Sequence, residues 1–386
     1  MRVGFDGTGI LGHGGLKTYA RELVRALAGS FPDDSFILLT RGASRMRRLR
    51  ELFRGSPNVH VRGWIPHPMM LGGRLSRLTG FITSAAFRIH GSDLDLIHLT
   101  DPFGAAALPV RFVATVNDLF PLTRPELRET ALRTLYARRT PLILRRAAAV
   151  IVPSVYIAGH ISELYPDMRP SVTVIPDAAA AAFLPAAAGS GRSPGKRYFL
   201  FVSRLDERKN LPRIAEAYSS LPEAVRSEVE LVLVLSGPPA DTSVFNRAGG
   251  VRILQGVSDS ELTGLYQGAE ALVFPSLDEG FGLPVLEAMG CGCPVITSDR
   301  SSLPEVAGGA ALLVDPFSTP SIAAAMERAA GSPELRERLS AAGLRRASEL
   351  TWGRTARETM DVYCAVRSTP NEMHGCRSRG RKGLPT

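Results

Sequence analysis

The chain has 386 residues, of which 45% are hydrophobic and 22% are charged. This length suits two domains of ordinary size, and the balance is that of a globular protein rather than a disordered or fibrous one. No run of eighteen apolar residues is present, and the four cysteines lack the spacing of a disulfide scaffold or a zinc ribbon. The N-terminus lacks the apolar stretch of a signal peptide, so we expect a cytoplasmic protein without a transmembrane span.

The charge is unevenly distributed along the chain. Residues 1–180 hold 23 Lys and Arg against 14 Asp and Glu, a net charge of +9, whereas residues 181–366 hold 18 against 22, a net charge of −4. A basic first half is expected to meet an anionic partner. Nucleic acid is not expected as that partner, because no basic motif is interleaved with aromatic residues. Only four of the 46 basic residues are lysines, so a lysine indicates a functional position better than an arginine does.

Short apolar runs alternate with amphipathic stretches from end to end. In the first half they predict strands at Arg2–Asp6, Ser35–Thr40, Val59–Arg62, Leu94–His98, Phe112–Asn117 and Ala148–Val152. In the second half they predict strands at Tyr198–Ser203, Glu230–Leu235, Val251–Gln255, Ala271–Phe274, Pro294–Ser298 and Ala311–Val314. Helices are predicted at Leu16–Ala28, Glu126–Arg146, Leu211–Leu221, Asp259–Gly268, Ser318–Gly331, Glu334–Glu349 and Thr351–Arg367. This alternation predicts an α/β protein with two doubly wound, Rossmann-like domains.

The domain boundaries follow from composition. We predict an N-terminal domain over residues 1–178 and an Ala, Gly and Pro-rich linker over 179–196. A C-terminal domain follows over 197–350, then a last helix over 351–366 and a disordered basic tail over 367–386. Open parallel sheets bind ligands at the carboxyl ends of their strands, so the function is expected in the cleft between the domains.

Two glycine-rich segments follow the first strand. Gly7–Gly12 is a formal G-x-G-x-x-G, a weak dinucleotide signal. The acidic residue expected after the second strand is absent and Arg41 follows that strand, so an NADP-dependent oxidoreductase stays an alternative. Gly14 and Gly15 open the next helix, where backbone N–H groups either approach a phosphate or form a simple turn.

Two cations begin the second domain. Arg204 ends a strand and Lys209, one of the rare lysines, precedes a helix, so both can point into the cleft. Fixed positive charges five residues apart suit a leaving diphosphate. Arg208 is interpreted as a solvated charge of an exposed turn.

A glycine-rich loop follows the strand that ends at Phe274. Pro284 fits the first turn of a helix, so the N–H groups before it can bind a phosphate or a sugar; they belong to Phe281, Gly282 and Leu283. Glu279 in the loop and Glu287 in the helix can accept hydrogen bonds from hydroxyl groups. The alternative is a pair of acids that stabilise the helix dipole.

Together, Glu279-x7-Glu287, EGFGLPVLEAM, SRLDERKNL and SSLPEVAGGAALLVDP resemble the retaining glycosyltransferases of family four, which have the GT-B fold. The resemblance covers residues 1–366 and implies that the last helix crosses back to the N-terminal domain. It implies that the donor diphosphate is held by Gly14, Gly15, Arg204 and Lys209. It implies that the donor sugar is held by Glu279, Phe281, Gly282 and Leu283, and the ribose by Glu287.

The resemblance also implies that no metal or other cofactor is needed. Asp93-Leu94-Asp95 has the D-x-D form of metal-dependent glycosyltransferases, but we interpret Asp93 as a surface residue. Asn117 stands where the family has a histidine that helps to position the donor sugar. An amide can bind a hydroxyl group but cannot carry a proton. We favour an altered donor preference, and a catalytically weak protein that binds sugar nucleotides is the alternative.

The resemblance extends to substrates. The stretch from Ser301 to Pro316 is similar to bacterial mannosyl- and rhamnosyltransferases of surface-polysaccharide synthesis, which favours GDP-mannose as donor, with a UDP-sugar second. A glycan or lipid-linked acceptor is expected on the basic N-terminal side. Arg41–Gly55 and Arg74–His90 are interpreted either as basic amphipathic helices on an anionic membrane surface or as core-packed helices with a solvated arginine face.

Overall fold

The computed structural model describes residues 1–12, 14–40, 42–63, 93–101, 111–124, 126, 130–168, 171–184, 196–236 and 249–368. The N-terminal strands are β1 Arg2–Asp6, β2 Ser35–Thr40, β3 Val59–Gly63, β4 Leu96–Leu99, β5 Phe112–Thr115, β6 Ala149–Val152 and β7 Val172–Val174. The helices between them are α1 Gly7–Ile10, α2 Gly14–Ser30, α3 Ala43–Leu52, α4 Phe120–Thr123, α5 Thr130–Arg146 and α6 Val155–Leu164.

The C-terminal half repeats the alternation. Its strands are β8 Arg197–Arg204, β9 Val229–Ser236, β10 Val251–Gln255, β11 Ala271–Phe274, β12 Val295–Ser298 and β13 Leu312–Val314. Its helices up to Ala307 are α7 Leu211–Ser219, α8 Glu223–Glu228, α9 Asp259–Gly268, α10 Leu283–Gly290 and α11 Leu303–Ala307. The final helices are α12 Thr319–Gly331, α13 Pro333–Glu349 and α14 Trp352–Ser368. All twelve predicted strands are present, with ends within two residues of their predicted positions, and β7 was not predicted.

Both sheets are parallel and doubly wound. The N-terminal sheet has the order β3-β2-β1-β4-β5-β6-β7 and the C-terminal sheet the order β10-β9-β8-β11-β12-β13. In each sheet the order reverses beside the first strand, since β1 pairs with β2 and β4, and β8 pairs with β9 and β11. Parallel sheets with helices on both faces bury their strands, which explains the continuous apolar runs. The predicted fold class is confirmed.

The segment between the two sheets is only partly a linker. Ala179, Ala180 and Phe183 are buried in the core of the C-terminal domain, and Phe183 packs edge-on against Tyr266. The first residues of the predicted linker over 179–196 therefore contribute their small and aromatic side chains to the second core. Residues 185–195 of the predicted linker lie outside the described residues.

The last helix α14 packs on the N-terminal domain. Ala356, Met360 and Tyr363 belong to the core that contains β1 and α2. The Tyr363 hydroxyl is hydrogen-bonded to Nδ1 of His98 at 2.6 Å, and Nε2 of His98 to Thr115 Oγ1 at 2.7 Å. Burial lowers the pKa of His98 to about 3, so the imidazole is neutral at physiological pH. The helix runs to Ser368, one residue beyond the end predicted from periodicity, and the rest of the predicted tail lies outside the described residues.

The apolar face of α3 is part of the protein core. Leu49 and Phe53 are buried, whereas the arginines of this segment are exposed, namely Arg45, Arg47, Arg48, Arg50 and Arg54. Of the two interpretations of this segment, the structure supports a core-packed helix with a solvated arginine face. The second basic stretch, Arg74–His90, lies outside the described residues.

Candidate active site

A fixed turn carries Lys209 at the carboxyl end of β8. The side chain of Asp206 accepts a hydrogen bond from the backbone N–H of Arg208, which starts a one-turn 3₁₀ helix over Glu207–Lys209. Asn210 follows with a φ of 60° in the left-handed region, and its side-chain amide donates to the carbonyls of Pro275 at 3.0 Å and Pro316 at 2.6 Å. These bonds tie the turn to the ends of β11 and β13. Sequence reasoning missed Asn210, although an Asn directly before a helix is a known turn signal.

The structure brings Lys209 and Glu279 together. The ammonium group of Lys209 forms an ion pair with Oε1 of Glu279, and only 14% and 10% of the two side chains are exposed. The Lys209 nitrogen also lies 5.1 Å from the centre of the Phe274 ring. A partly buried cation beside a carboxylate is a preorganised pair of charges. When a ligand binds, the ammonium group can pair with a phosphate and the carboxylate with a sugar hydroxyl. Arg204, the other predicted cation, ends β8 and is exposed.

Ser302 contacts the backbone of the loop between β11 and α10 and holds it in place. The Ser302 hydroxyl is fully buried and lies 2.9 Å from the carbonyl oxygens of both Glu279 and Phe281. Gly282 has a φ of 106°, and a methyl group there would lie 2.6 Å from a methyl carbon of Leu303. Only glycine fits this position, so the loop keeps its backbone close to α11. Pro284 lies in the first turn of α10, as predicted.

Glu287 lies one turn into α10 and has a specific partner. The hydroxyl of Tyr266 donates to its Oε2 at 3.2 Å. Burial raises the pKa of Glu287 to about 7, and the hydrogen bond from Tyr266 opposes this rise. The carboxyl group is therefore close to half ionised at neutral pH and can either accept or donate a hydrogen bond.

The N-terminus of α2 faces the loop of Glu279. Gly14 and Gly15 open this helix, and a methyl group at Gly15 would lie 3.5 Å from Cδ1 of Leu283. The N-terminus of a seventeen-residue helix, with its partial positive charge, thus lies beside the first residue of α10. By contrast, Gly7 and Gly9 of the formal dinucleotide motif have local packing roles, since methyl groups there would lie 3.1 Å from the Leu39 carbonyl oxygen and 3.3 Å from Thr100 Oγ1.

Asn117 lies against the same loop from the N-terminal side. Its side-chain amide donates to the carbonyl of Thr100 at 3.2 Å, and its backbone oxygen would lie 2.0 Å from a methyl group at Gly280. The residue that departs from the family histidine is therefore inside the cleft and in contact with the loop that carries Glu279.

Arg208 is the residue that sequence reasoning placed wrongly. Its side chain is buried rather than solvated, with Nε and Nη2 donating to Asp206 at 3.2 and 3.3 Å. Its guanidinium carbon lies 4.4 Å from the centre of the Phe120 ring in the other domain. Although burial disfavours the charge, the carboxylates of Glu279 and Asp206 raise the pKa of Arg208. No local sequence pattern predicts the contact between Arg208 and Phe120, because the two residues are 88 positions apart in the chain.

Further contacts join the domains beside this pair. Ser154 Oγ donates to the carbonyl of Gly280 at 2.7 Å, and Val155 N–H, at the start of α6, donates to the Glu305 carboxylate with both oxygens at 3.0 Å. The Tyr156 hydroxyl donates to Asp278 at 3.2 Å, and burial raises the pKa of Asp278 to about 6. The cleft is therefore closed along the β6–α6 side in this structure.

The D-x-D segment has a structural role in the described residues. Asp93 forms ion pairs with Arg2 at 2.7 Å and with Arg62 at 2.9 Å, and Asp95 accepts from the Arg2 backbone at 2.7 Å. Within the part of the chain that is described, no three His, Cys, Asp or Glu side chains converge as metal ligands. Among the described helices none is long and apolar enough to span a bilayer.

Two facing Rossmann-like domains with cations and carboxylates between them define a protein of the GT-B class. A family model described as Glycosyltransferase Family 4 matches residues 13–179, and one described as Glycosyl transferases group 1 matches residues 186–346. Together they cover both domains. The chain therefore belongs to the glycosyltransferases of family four.

Curated relatives share parts or most of the chain. The O-antigen chain mannosyltransferase B of Escherichia coli is 36% identical over 172 residues, which cover 43% of this chain and 45% of that protein. The serotype-specific mannosyltransferase WbdA of Escherichia coli is 29% identical over 47% of this chain and 23% of its own length. The match thus spans less than half of these two relatives. A D-inositol 3-phosphate glycosyltransferase of Actinosynnema mirum is 27% identical over 93% of this chain and 94% of its own.

Solved structures share the fold. Sucrose-phosphate synthase from Thermosynechococcus elongatus superposes with a TM-score of 0.74 at 21% identity, over 95% of this chain and 99% of that one. HepE of Anabaena, in complex with UDP and glucose, superposes with a TM-score of 0.68 at 18% identity, over 95% and 100% of the two chains. At these identities the likeness concerns the fold alone.

Proposed function

We propose that the protein is a retaining glycosyltransferase that moves a hexose from a nucleotide-diphosphate sugar to a glycan or lipid-linked acceptor in surface-polysaccharide synthesis. The observation that carries this proposal is the pairing of Lys209 with Glu279 in the cleft, opposite the N-terminus of α2. A cation for the diphosphate and a carboxylate for the sugar are thereby held side by side, where the bond between the sugar and the diphosphate would break.

The proposed reaction takes place on one face of the sugar. The bond between the anomeric carbon and the diphosphate oxygen breaks, and the acceptor oxygen bonds to the same face. The acceptor proton passes to the departing diphosphate, whose negative charge Lys209 and Arg204 stabilise. Positioning and electrostatic stabilisation would supply most of the rate acceleration. Lys209, Arg204 and the α2 dipole can together neutralise the diphosphate, so we propose that no metal is required.

The proposed binding roles follow the arrangement of the loop. The backbone N–H groups at the start of α10, from Phe281 to Leu283, would bind the sugar or the phosphate nearest to it. Glu287 would accept hydrogen bonds from the ribose, and Gly14 and Gly15 would approach the diphosphate from the other domain.

GDP-mannose is the proposed donor, and mannose is the sugar that would be transferred. It is supported by two Escherichia coli relatives that are named as mannosyltransferases. A UDP-sugar is second, supported by HepE, which is solved with UDP and glucose. Asn117 would contact the sugar as a hydrogen-bonding amide, which alters the preference among donors. A protein that binds sugar nucleotides with weak catalysis stays the second candidate, because Asn117 cannot carry a proton and its amide is engaged with Thr100.

The acceptor is proposed to approach over the basic N-terminal domain. With Leu49 and Phe53 inside the core, the exposed arginines of α3 would give a salt-sensitive electrostatic contact with an anionic membrane and no insertion. Flotation with anionic vesicles tests this contact, and absence of binding at low salt would refute the proposal of a membrane surface as partner.

Release of nucleoside diphosphate from each candidate sugar nucleotide tests the activity. We expect Lys209→Ala to lower the rate by at least roughly a hundredfold while the circular dichroism spectrum still shows a folded protein. Lys196→Ala removes an exposed lysine outside the cleft and is the matched control, expected at the wild-type rate. Near-normal turnover by Lys209→Ala would refute the proposed role of this cation.

A further inference from the structure

Arg208 occupies a position between the two domains. On one side its guanidinium forms a two-pronged hydrogen-bonded pair with Asp206 of its own turn, at 3.2 and 3.3 Å. On the other side it lies over the ring of Phe120, which begins α4 of the N-terminal domain and is 3% exposed. A planar cation can make an in-plane pair with a carboxylate and still present its flat face to an aromatic ring, whereas an ammonium group cannot do both.

The backbone of Arg208 connects this contact to the predicted donor site. Its carbonyl oxygen accepts a hydrogen bond from Leu277 N–H at 2.7 Å, just before the loop of Glu279. The next residue is Lys209, whose ammonium group pairs with Glu279. The Arg208 side chain is therefore attached to a turn that carries Lys209 and that is hydrogen-bonded to the segment leading into the Glu279 loop.

Phe120 in turn belongs to the N-terminal wall of the cleft. It follows Asn117 and Asp118, which lie against Gly280. The ring that covers Arg208 and the backbone that covers Gly280 are thus parts of one short segment, and both meet the C-terminal domain only when the domains are together.

We propose that Arg208 is a positioning residue that couples approach of the N-terminal domain, through Phe120, to the placement of Lys209 at the donor diphosphate. This inference rests on the proposed function for its catalytic consequence. The diphosphate clamp is then complete only in the closed protein, so that a donor bound in an open cleft is not cleaved. Arg208 itself need not touch the substrate.

Amide hydrogen exchange of the full chain tests the coupling without any need for activity. The amides of Arg208, Lys209 and Asn210 are all hydrogen-bonded within the turn. We expect Phe120→Leu, a change in the other domain, to speed their exchange by about tenfold or more. Phe120→Tyr keeps an aromatic face and should leave the exchange rates as they are in the wild type.

Kinetics of the same variants test the catalytic consequence. Arg208→Lys and Phe120→Leu should each lower kcat by roughly tenfold to a hundredfold, with a much smaller change in KM for the donor. The double variant should be no slower than the slower single variant, because both changes break one contact. Arg252→Lys is the control and should keep the wild-type kcat, because Arg252 is an exposed residue of β10 whose ion-pair partner is Glu230 of β9.

The outcomes separate the two proposals. Three outcomes would each overturn the coupling. They are amide exchange in the turn that does not respond to Phe120→Leu, losses of kcat that multiply in the double variant, and full activity of Arg208→Lys. A wild-type protein that binds no nucleoside diphosphate would overturn the proposed function instead, and the exchange measurement would still decide whether Phe120 governs the turn.

Discussion

Replacement of Gly280 by alanine should separate the two domains without unfolding either. A methyl group at this position would lie 2.0 Å from the backbone oxygen of Asn117, and Cβ atoms in proteins do not approach closer than 3.0 Å. The two backbones must therefore move apart by about 1 Å. The obstacle is the backbone of the other domain, so no side-chain rotation can relieve it. Gly280 has no positive φ, so alanine fits its own backbone conformation.

The expected cost falls on catalysis rather than on stability. A displacement of about 1 Å between groups that must align can lower a rate by roughly a hundredfold, and we expect a loss of this size in kcat. The free energy of unfolding should change by less than about 1 kcal/mol, because both domain cores stay intact and alanine restricts the unfolded chain.

Turnover and small-angle scattering of the Gly280→Ala protein would be measured together. Gly264→Ala is the control, since Gly264 lies on the exposed side of α9 with nothing within 4 Å of the added methyl group. The control should keep the wild-type rate and be slightly more stable. A Gly280→Ala protein with an unchanged rate and an unchanged scattering profile would refute the argument that this close approach defines the closed cleft.

Two further predictions concern buried polar groups. Because the pKa of Glu287 is raised to about 7, its ionised fraction, and with it the affinity for a ribose-containing ligand, should rise by up to about tenfold from pH 6 to pH 8. Glu287→Gln should remove this pH dependence in calorimetry, and a persistent dependence would point to another group. Tyr363→Phe should lower the free energy of unfolding by about 1–3 kcal/mol in denaturant titration, because it leaves buried His98 without a partner at Nδ1. Unchanged stability would mean that α14 is anchored by apolar packing alone.

Much of the fold could be predicted because its strands are buried on both faces. Phe36 to Leu39 in β2 and Leu231 to Leu235 in β9 are continuous apolar runs, which parallel strands require. The strand β7 was missed because Val172–Val174 is three residues long, lies at the edge of the sheet and is only half-buried. Its short alternating pattern does not differ from that of a loop.

The site could be predicted where its geometry is local. Glu279 and Glu287 stand near one helix start because a glycine loop and Pro284 fix where that helix begins. Lys209 was predicted because lysine is rare in this chain, and the structure places it beside Glu279. Contacts between the domains could not be predicted in this way. The Arg208 side chain packs on Phe120, and the carbonyl of Gly280 in the Glu279 loop accepts a hydrogen bond from Ser154, and neither pairing leaves a pattern in the sequence.

Calorimetric titration of the purified protein, without added metal, tests the central claim most directly. The ligands would be GDP, GDP-mannose, UDP, UDP-glucose and NADPH, each added to the wild type and to Lys209→Ala. We predict that one nucleoside diphosphate, GDP in the favoured case, binds the wild type and that Lys209→Ala binds it at least roughly tenfold more weakly. Binding of NADPH alone, or equal affinity of the two proteins for the diphosphate, would contradict the account.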